Sequence, residues 1–425
     1  MNENSNIFIN KKILVYGLGK TGFSVLNFLK KKNNKIFLYD DNKKNFSSLI
    51  QIKKTKFDAI ILSPGIDINK CKLSKFLKKN LRIIYTDLDI FYSFNHNKCI
   101  TITGTNGKST TCQLLYEVLK KQKIDVRIAG NIGYPILSIK KFKKETIFVI
   151  EASSYQLEYS KLFSSKYAVI LNIAPDHLER HGTFKKYISA KFKLIEKQKK
   201  NSFAFINKND AHIMSKIKEI DFKSKIIKVN SSLSHHFIKK LGNKSFLSKS
   251  NLENLSFVLR LSKIFKVNKT SLIKVIKNFK GLIYRQQIVY KNKRLVIIND
   301  SKSTSYSSSI EILKDAKNIY WLVGGIPKKG DKFNLSKNFY KNIRGYVFGK
   351  NQKKFILDLK NKIKLKNFSN LKKAWLTLIK DIKKDEIEKI TILFSPAAAS
   401  FDSFENFEDR GKYFNQLIKR YKSVK

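Results

Sequence analysis

The stretch 98-KCITITGTNGKSTTCQLLYEVLKKQ-122 reads as a buried strand, a glycine-bearing loop and a helix in direct succession. The loop closes on Gly107-Lys108-Ser109, the end of the phosphate-binding pattern G-x-x-x-x-G-K-[ST]. The first glycine of that pattern would fall at position 102, where Ile102 stands; the glycine present is Gly104, two residues later. The physics does not demand the longer spacing. Successive amides of Gly104, Thr105, Asn106, Gly107 and Lys108 can line a concavity for an anion at the start of a helix. Lys108 then brings an ammonium to the β- and γ-phosphates, and Ser109 or Thr110 supplies a hydroxyl for magnesium. A strand before and a helix after are the context such a loop needs, so the stretch predicts a nucleotide site in an α/β domain.

The same alternation extends outward. Upstream, KKILVYG, KIFLYDD, DAIILSPG and LRIIYTD read as strands, with FSVLNFLKK as an amphipathic helix between the first two. Downstream of the loop, strands are expected at TIFVIEAS, YAVILNIAPDH and SFAFINKND, and helices at 184–199 and 251–264. After FKGLIYR, the run QQIVYKNKRLVIIND reads as a hairpin about a Lys-Asn turn, followed by strands at NIYWLVGG, GYVFG and KITILFSP. The fold class expected is α/β, with three domains in series at 1–94, 95–284 and 285–425.

Bulk composition bounds the function classes. A chain of 425 residues exceeds one ordinary core. No apolar run approaches the roughly 18 residues that cross a bilayer, and MNENSNIFINKK lacks a signal peptide's apolar core, so a cytoplasmic protein without membrane insertion is expected. Cys71, Cys99 and Cys112 form no C-x-x-C and suggest neither disulfides nor zinc. The net charge of +55 invites a nucleic-acid reading. Yet only nine of the 87 basic residues are Arg, the type suited to forked phosphate and base contacts, and the lysines are scattered through every segment. With Asn, Ile and Phe also abundant, the charge reads as a compositional drift toward lysine, and no specific nucleic-acid partner is expected. Against that drift the five prolines, Pro64, Pro135, Pro175, Pro327 and Pro396, all stand in short irregular stretches, where the backbone has special demands.

Candidate sites fall in such stretches and at the glycine turns. The N-terminal 17-GLGKTG-22 follows a strand and precedes a helix, and Asp40 ends the next strand. That arrangement can hold a diphosphate on amides and a helix N-terminus while the acid meets a ribose; alone it fits a nicotinamide dinucleotide or a structural turn equally. The turn Ser63-Pro64-Gly65 opens on the same sheet edge. Near the central loop, TIFVI runs into Glu151 and AVILN runs into Asp176-His177. Carboxylates at strand C-termini beside a phosphate loop suit magnesium; His177 by itself is more often a loop or capping residue, and the strength of the set is its joint placement at successive strand ends.

Together GTNGKST, EASSYQLE, NIAPDHLERHG and the later SAK resemble the ATP-dependent Mur ligases, which attach amino acids to a UDP-linked muramoyl precursor. The resemblance covers the whole chain in order. GLGKTG, AGNIG (129–133), FKGLIYR (279–285), NDSKST (299–304) and SPAAASFDSFENFEDRG (395–411) are similar to the branch that adds D-glutamate. The shorter loop is then complete for its family, and the N-terminal glycine turn is redirected from a dinucleotide to the uridine diphosphate of the substrate.

The resemblance implies a Rossmann-like UDP-binding domain, a P-loop-like ATPase domain and a C-terminal Rossmann-like domain. It also implies a course of reaction: phosphoryl transfer from ATP to the carboxylate of UDP-N-acetylmuramoyl-L-alanine, then attack by the amine of D-glutamate on the acyl phosphate. Lys108, Glu151, His177 and Lys191 are the implied catalytic set. Ser109 and Glu151 would hold one Mg²⁺ and His177 a second, with Lys191 becoming a carbamate that ligates metal. Asn251, Asn254, Arg285 and Asp300 match nucleotide positions. Lys20, Thr21, Asp40, Gly65, Asn131 and His177 match the UDP substrate. Lys302, Thr304, Lys328, Ser400 and Phe407 match the D-glutamate region, with Lys329 an alternative to Lys328. Ser250 and Tyr284 depart from the family pattern, each standing where a histidine is usual, and Ala398 replaces a frequent cysteine. A monomer is expected. The rival readings are a Mur ligase of other amino-acid specificity, a nucleotide-binding regulator, and a basic nucleic-acid-associated protein.

Overall fold

The computed structural model describes residues 6–43, 46–241, 243, 246, 249–328 and 330–422. The alternative contact Lys329 lies outside the described residues. Two compact units are present, Met1–Asn243 with Asn251–Asn278, and Lys244–Ser250 with Phe279–Lys425.

The first unit holds two parallel sheets. Strands β1 (Lys12–Tyr16), β2 (Lys35–Tyr39), β3 (Ala59–Leu62) and β4 (Ile84–Tyr85) are ordered β2-β1-β3-β4. Strands β5 (Cys99–Thr103), β6 (Val126–Gly130), β7 (Ile147–Glu151), β8 (Tyr167–Ile170), β9 (Phe203–Asn207) and β10 (Lys225–Val229) are ordered β10-β9-β8-β5-β7-β6, all parallel. Parallel strands covered by helices on both faces are buried throughout, which is why β5 and β7 carry no exposed residue. A continuous apolar core runs from Ile13 and Val15 of β1 through Leu88, Ile90 and Phe91 to Phe148 and Ile150 of β7. The helix Asp87–Phe94 is the joint, its Phe91 ring edge-on to Phe148 at 4.9 Å. Sheet order reverses around β1 in one sheet and around β5 in the other, so both glycine turns leave at C-terminal strand ends where crevices open.

The second unit has strands β11 (Gln287–Lys291), β12 (Leu295–Asn299), β13 (Ile319–Gly324), β14 (Ile326–Pro327), β15 (Ile343–Phe348), β16 (Lys364–Phe368), β17 (Ile390–Phe394) and β18 (Ala398–Ala399). Its main sheet is ordered β11-β12-β17-β13-β15-β16, parallel except for the β11–β12 hairpin, as the sequence predicts. β14 and β18 form a small antiparallel pair. The strands β6, β10, β14, β16 and β18 are elements that the sequence reading does not anticipate. Among the described residues, no helix is long and apolar enough to cross a membrane.

Candidate active site

Two adjoining sites occupy the first unit. In the nucleotide loop, Gly107 adopts φ +81° and precedes the helix Lys108–Lys121. A side chain there would collide with Asn254, whose Oδ1 lies 2.2 Å from an ideal Cβ, so Asn254 abuts the loop while Asn251 stands on the same helix, Lys249–Ile264. Asn172, just beyond β8, clamps the loop's crest: its Oδ1 accepts from the Asn106 amide at 2.8 Å and its Nδ2 donates to the Asn106 carbonyl at 3.2 Å. Thr105 is fixed by the Tyr187 hydroxyl at 3.0 Å and by the Ala174 backbone.

Lys108 folds back over the loop, donating to the carbonyls of Gly104 (2.9 Å) and Thr105 (2.8 Å). Lys191 donates to the same Gly104 oxygen at 2.7 Å from the helix Phe184–Glu196. Only 1 % exposed, Lys191 has its pKa held well below the ordinary lysine value by burial first and by the Lys108 charge second, against smaller opposing effects of Asp176 and Glu151. Beside it, the Ser109 hydroxyl donates to Glu151 Oε2 at 2.5 Å, and Asn131 Nδ2 donates to Glu151 Oε1 at 2.8 Å. Glu151 itself is 1 % exposed. Thr110 lies half-buried in the first turn of the loop helix. His177 takes a left-handed backbone (φ +55°) to start the short helix Leu178–His181; its Nε2 lies 3.3 Å from Asp176 Oδ2 and its ring 4.9 Å from Tyr155.

The donor set suits magnesium at one position. A serine hydroxyl and a buried carboxylate, both hard oxygens and already 2.5 Å apart, are the ligand types Mg²⁺ takes. Among the described residues no group of three or more His, Cys, Asp or Glu side chains could hold a metal unaided. Mg²⁺ is commonly completed by water and phosphate rather than caged by protein.

The second site is an open cleft of about 490 Å³ at the C-terminal edge of the first sheet, lined by Lys20, Thr21, Asp40, Gly65 and Asn131 among others. Each glycine of GLGKTG has a separate physical reason. Gly17 needs φ +91°; Gly22 sits where a Cβ would come 1.9 Å from the Gly17 carbonyl oxygen; at Gly19 a Cβ would meet nothing within 4 Å, leaving the backbone open to a ligand. Asp40 accepts from the amides of Leu18 (2.6 Å) and Asn42 (3.0 Å), and Ser63 donates to the Gly17 carbonyl at 2.6 Å. Asn131 both lines this cleft and bonds Glu151, so it links the two sites.

In the second unit, Lys302 lays its ammonium 3.8 Å from the Phe407 ring centre. Thr304 is exposed, Ser400 buried, and Lys328 and Arg285 half-buried. Asp300 is held inward by the Gln286 amide at 3.1 Å and the Ser395 hydroxyl at 2.8 Å. The organiser here is Arg410, which the sequence reading quotes within its motif without assigning. Its guanidinium donates to the Ser301 hydroxyl (3.1 Å) and to the carbonyls of Ser301 (2.7 Å) and Ala398 (2.9 Å). Burial pulls its pKa down to about 10 against the pull of Asp402 and Asp300, so it remains charged at neutral pH. Tyr284, in place of the usual histidine, packs on Gly411, where an added Cβ would fall 2.4 Å from its ring. Asn172 and Arg410 stand inside quoted motifs and Tyr187 outside them, but the role of each stays hidden in the sequence because it acts on a segment distant along the chain.

Residues 11–85 match the family model described as "Mur ligase MurD-like, N-terminal domain", and residues 102–268 that of the "Mur ligase middle domain". A UDP-N-acetylmuramoylalanine--D-glutamate ligase of Rickettsia felis is 35% identical, with 98% of each chain covered. The enzyme so named from Buchnera aphidicola subsp. Schizaphis graminum is 34% identical over 97% of this chain and 98% of its own. Among solved structures, a MurF ligase of Thermotoga maritima in complex with ADP is similar in fold, with TM-score 0.58, 16% identity, and coverage of 99% of this chain and 97% of that one.

Proposed function

The chain belongs to the Mur ligase family, and from that premise we propose that it joins D-glutamate to UDP-N-acetylmuramoyl-L-alanine, cleaving ATP to ADP and phosphate, in cytoplasmic synthesis of the peptidoglycan precursor. The observation that carries this reading is the convergence of Lys108 and Lys191 on one carbonyl oxygen, beside the chain Ser109–Glu151–Asn131. Burial and the Lys108 charge hold Lys191 toward the neutral amine, which leaves the Lys108 ammonium as the cation that a polyphosphate on this loop would meet.

In this mechanism Lys108 leaves the carbonyls of Gly104 and Thr105 for the β- and γ-phosphates, which rest on the loop amides at the helix N-terminus. The alanyl carboxylate takes the γ-phosphoryl group, and the amine of D-glutamate attacks the acyl phosphate. Inorganic phosphate leaves as the amide bond forms. The obstacle is the approach of two anions, and Lys108 lowers it by charge. Ser109 and Glu151 would hold one Mg²⁺, and His177 with carbamylated Lys191 a second; bound there, the ions supply further positive charge to the transferring group. The depressed pKa of Lys191 favours the neutral amine that CO₂ addition requires, with loss of one proton. Lys20, Thr21, Asp40, Gly65 and Asn131 would take the UDP end, Asn251, Asn254, Arg285 and Asp300 the nucleotide, and Lys302, Thr304, Lys328, Ser400 and Phe407 the D-glutamate. These ligand assignments suit three domains in series, bounded near residues 94 and 284.

Phosphate release by the purified protein with ATP, Mg²⁺ and UDP-N-acetylmuramoyl-L-alanine tests the reading. Turnover is expected with D-glutamate and not with L-glutamate, L-alanine or a diamino acid, and Lys108→Ala should lower it by about 10²–10³-fold. Turnover with a different acceptor would move the specificity within the family; none with any acceptor, from folded protein, would remove the ligase assignment.

A further inference from the structure

Arg180 belongs to the segment that carries His177, yet its guanidinium points to the other sheet. It donates to the carbonyl oxygens of Pro64 (2.5 Å) and Ile66 (2.6 Å), which flank Gly65 in the turn walling the UDP cleft. Its flat face lies on Tyr155, 3.7 Å from the ring centre, and Tyr155 in turn stacks on His181 and touches His177. A planar fork with one face on an aromatic ring and two donors on two carbonyls is an arrangement only arginine supplies.

The trans peptide makes this contact directional. A carbonyl turned toward Arg180 sends the N–H of the next residue the opposite way. Gly65 and Asp67 are those next residues, both line the cleft, and no acceptor for either amide is found among the described residues. Ser63 meanwhile ties the same turn to Gly17, so the turn is fixed from both sides. The geometry therefore assigns Arg180 as a positioning residue: by holding the Pro64 and Ile66 carbonyls it aims the Gly65 and Asp67 amides at the phosphates or sugar of the UDP substrate. It also sets that turn against the segment bearing His177. The assignment rests on the proposed use of this cleft for the UDP end.

The test is steady-state kinetics of wild type, Arg180→Ala and Arg180→Lys, with thermal melting and chemical rescue by methylguanidinium at millimolar concentration. Arg180→Ala should raise KM for the UDP substrate at least tenfold and leave KM for ATP within twofold. Methylguanidinium should restore part of the loss. Arg180→Lys should resemble the alanine variant, since one ammonium cannot serve both carbonyls in the fork geometry. Unchanged KM for the UDP substrate overturns the inference. So does a parallel loss in every constant with a lowered Tm and no rescue, because that is the signature of a merely structural arginine. If Arg180→Ala does not fold, the KM split in Arg180→Lys decides. A wild-type protein that neither binds nor turns over the UDP substrate would instead sink the parent reading, which separates the two failures.

Discussion

Two buried titrating groups in the first unit oppose one another. His181, its side chain fully buried, donates or accepts at Ser154 Oγ (3.0 Å) and has its pKa lowered to about 4 by burial, with Arg180 next in effect. Asp87, at 2 % exposure, has its pKa raised to about 6 by burial, partly offset by the Gln156 amide. Between pH 6.5 and 4 the unfolded chain protonates His181 while the native chain does not, so acidification costs stability. Between pH 6 and 3.8 the native chain protonates Asp87 first, so acidification adds stability. Each effect is roughly 3 kcal/mol over nearly the same window, and they largely cancel. His181→Gln should therefore gain stability relative to wild type as pH falls from 6.5 to 4.5, and Asp87→Asn should lose it. Urea midpoints across that range read both slopes; parallel curves for all three proteins would refute the opposed titrations. At this scale the residues of the two glycine turns were legible in sequence because their constraints are local. Arg180 was not, since its acceptors lie 116 and 114 positions away.

Interior strands announce themselves as largely apolar runs, and every one of them is anticipated by the sequence. Of the missed strands, β14 and β18 are two-residue pieces too short to leave a periodic signal, while β6, β10 and β16 share another cause: each lies at a sheet edge. One side of an edge strand is solvated, so VRIAG, KIIKV and KLKNF intersperse lysine or arginine among apolar residues and keep no clean period. The joint between the first two sheets was equally hidden. Asp89, on the helix Asp87–Phe94, accepts at Oδ1 from the Ser160 hydroxyl and the amides of Lys161, Leu162 and Phe163, all within 3.1 Å, and at Oδ2 from the Thr86 amide. Asp89→Ala leaves those buried donors without an acceptor and should destabilise the first unit by about 3–5 kcal/mol. Equilibrium denaturation measures it, and a loss under 1 kcal/mol would show that water replaces the carboxylate.

Over the whole chain 87 basic residues face 32 acidic ones, so most lysines have no carboxylate to meet. Many find backbone carbonyls: Lys161 donates to Leu81 and Arg82, Lys193 to Glu158, Lys197 to Lys161, Lys166 to Asn201. Such bonds satisfy the ammonium without cancelling its charge, and the native state carries the self-repulsion of +55. Screening should help more than it harms. Tm is expected to rise by several degrees between about 20 mM and about 300 mM KCl, as the Debye length shrinks below about 10 Å. A falling Tm would mean that attractive pairs dominate after all.

That lysine excess gives the close approach of Gly22 to the Gly17 carbonyl another meaning. Lysine, asparagine, isoleucine and phenylalanine are written mostly in A and T, whereas every glycine codon opens with GG. A gene losing G and C can exchange surface residues freely, but a point change at Gly22 puts a Cβ 1.9 Å from a main-chain oxygen. In a saturation library selected for growth, position 22 should therefore tolerate no replacement, while Gly19, whose Cβ would meet nothing within 4 Å, should admit alanine at the level of folding. At Gly22 the drift of a genome meets a steric wall.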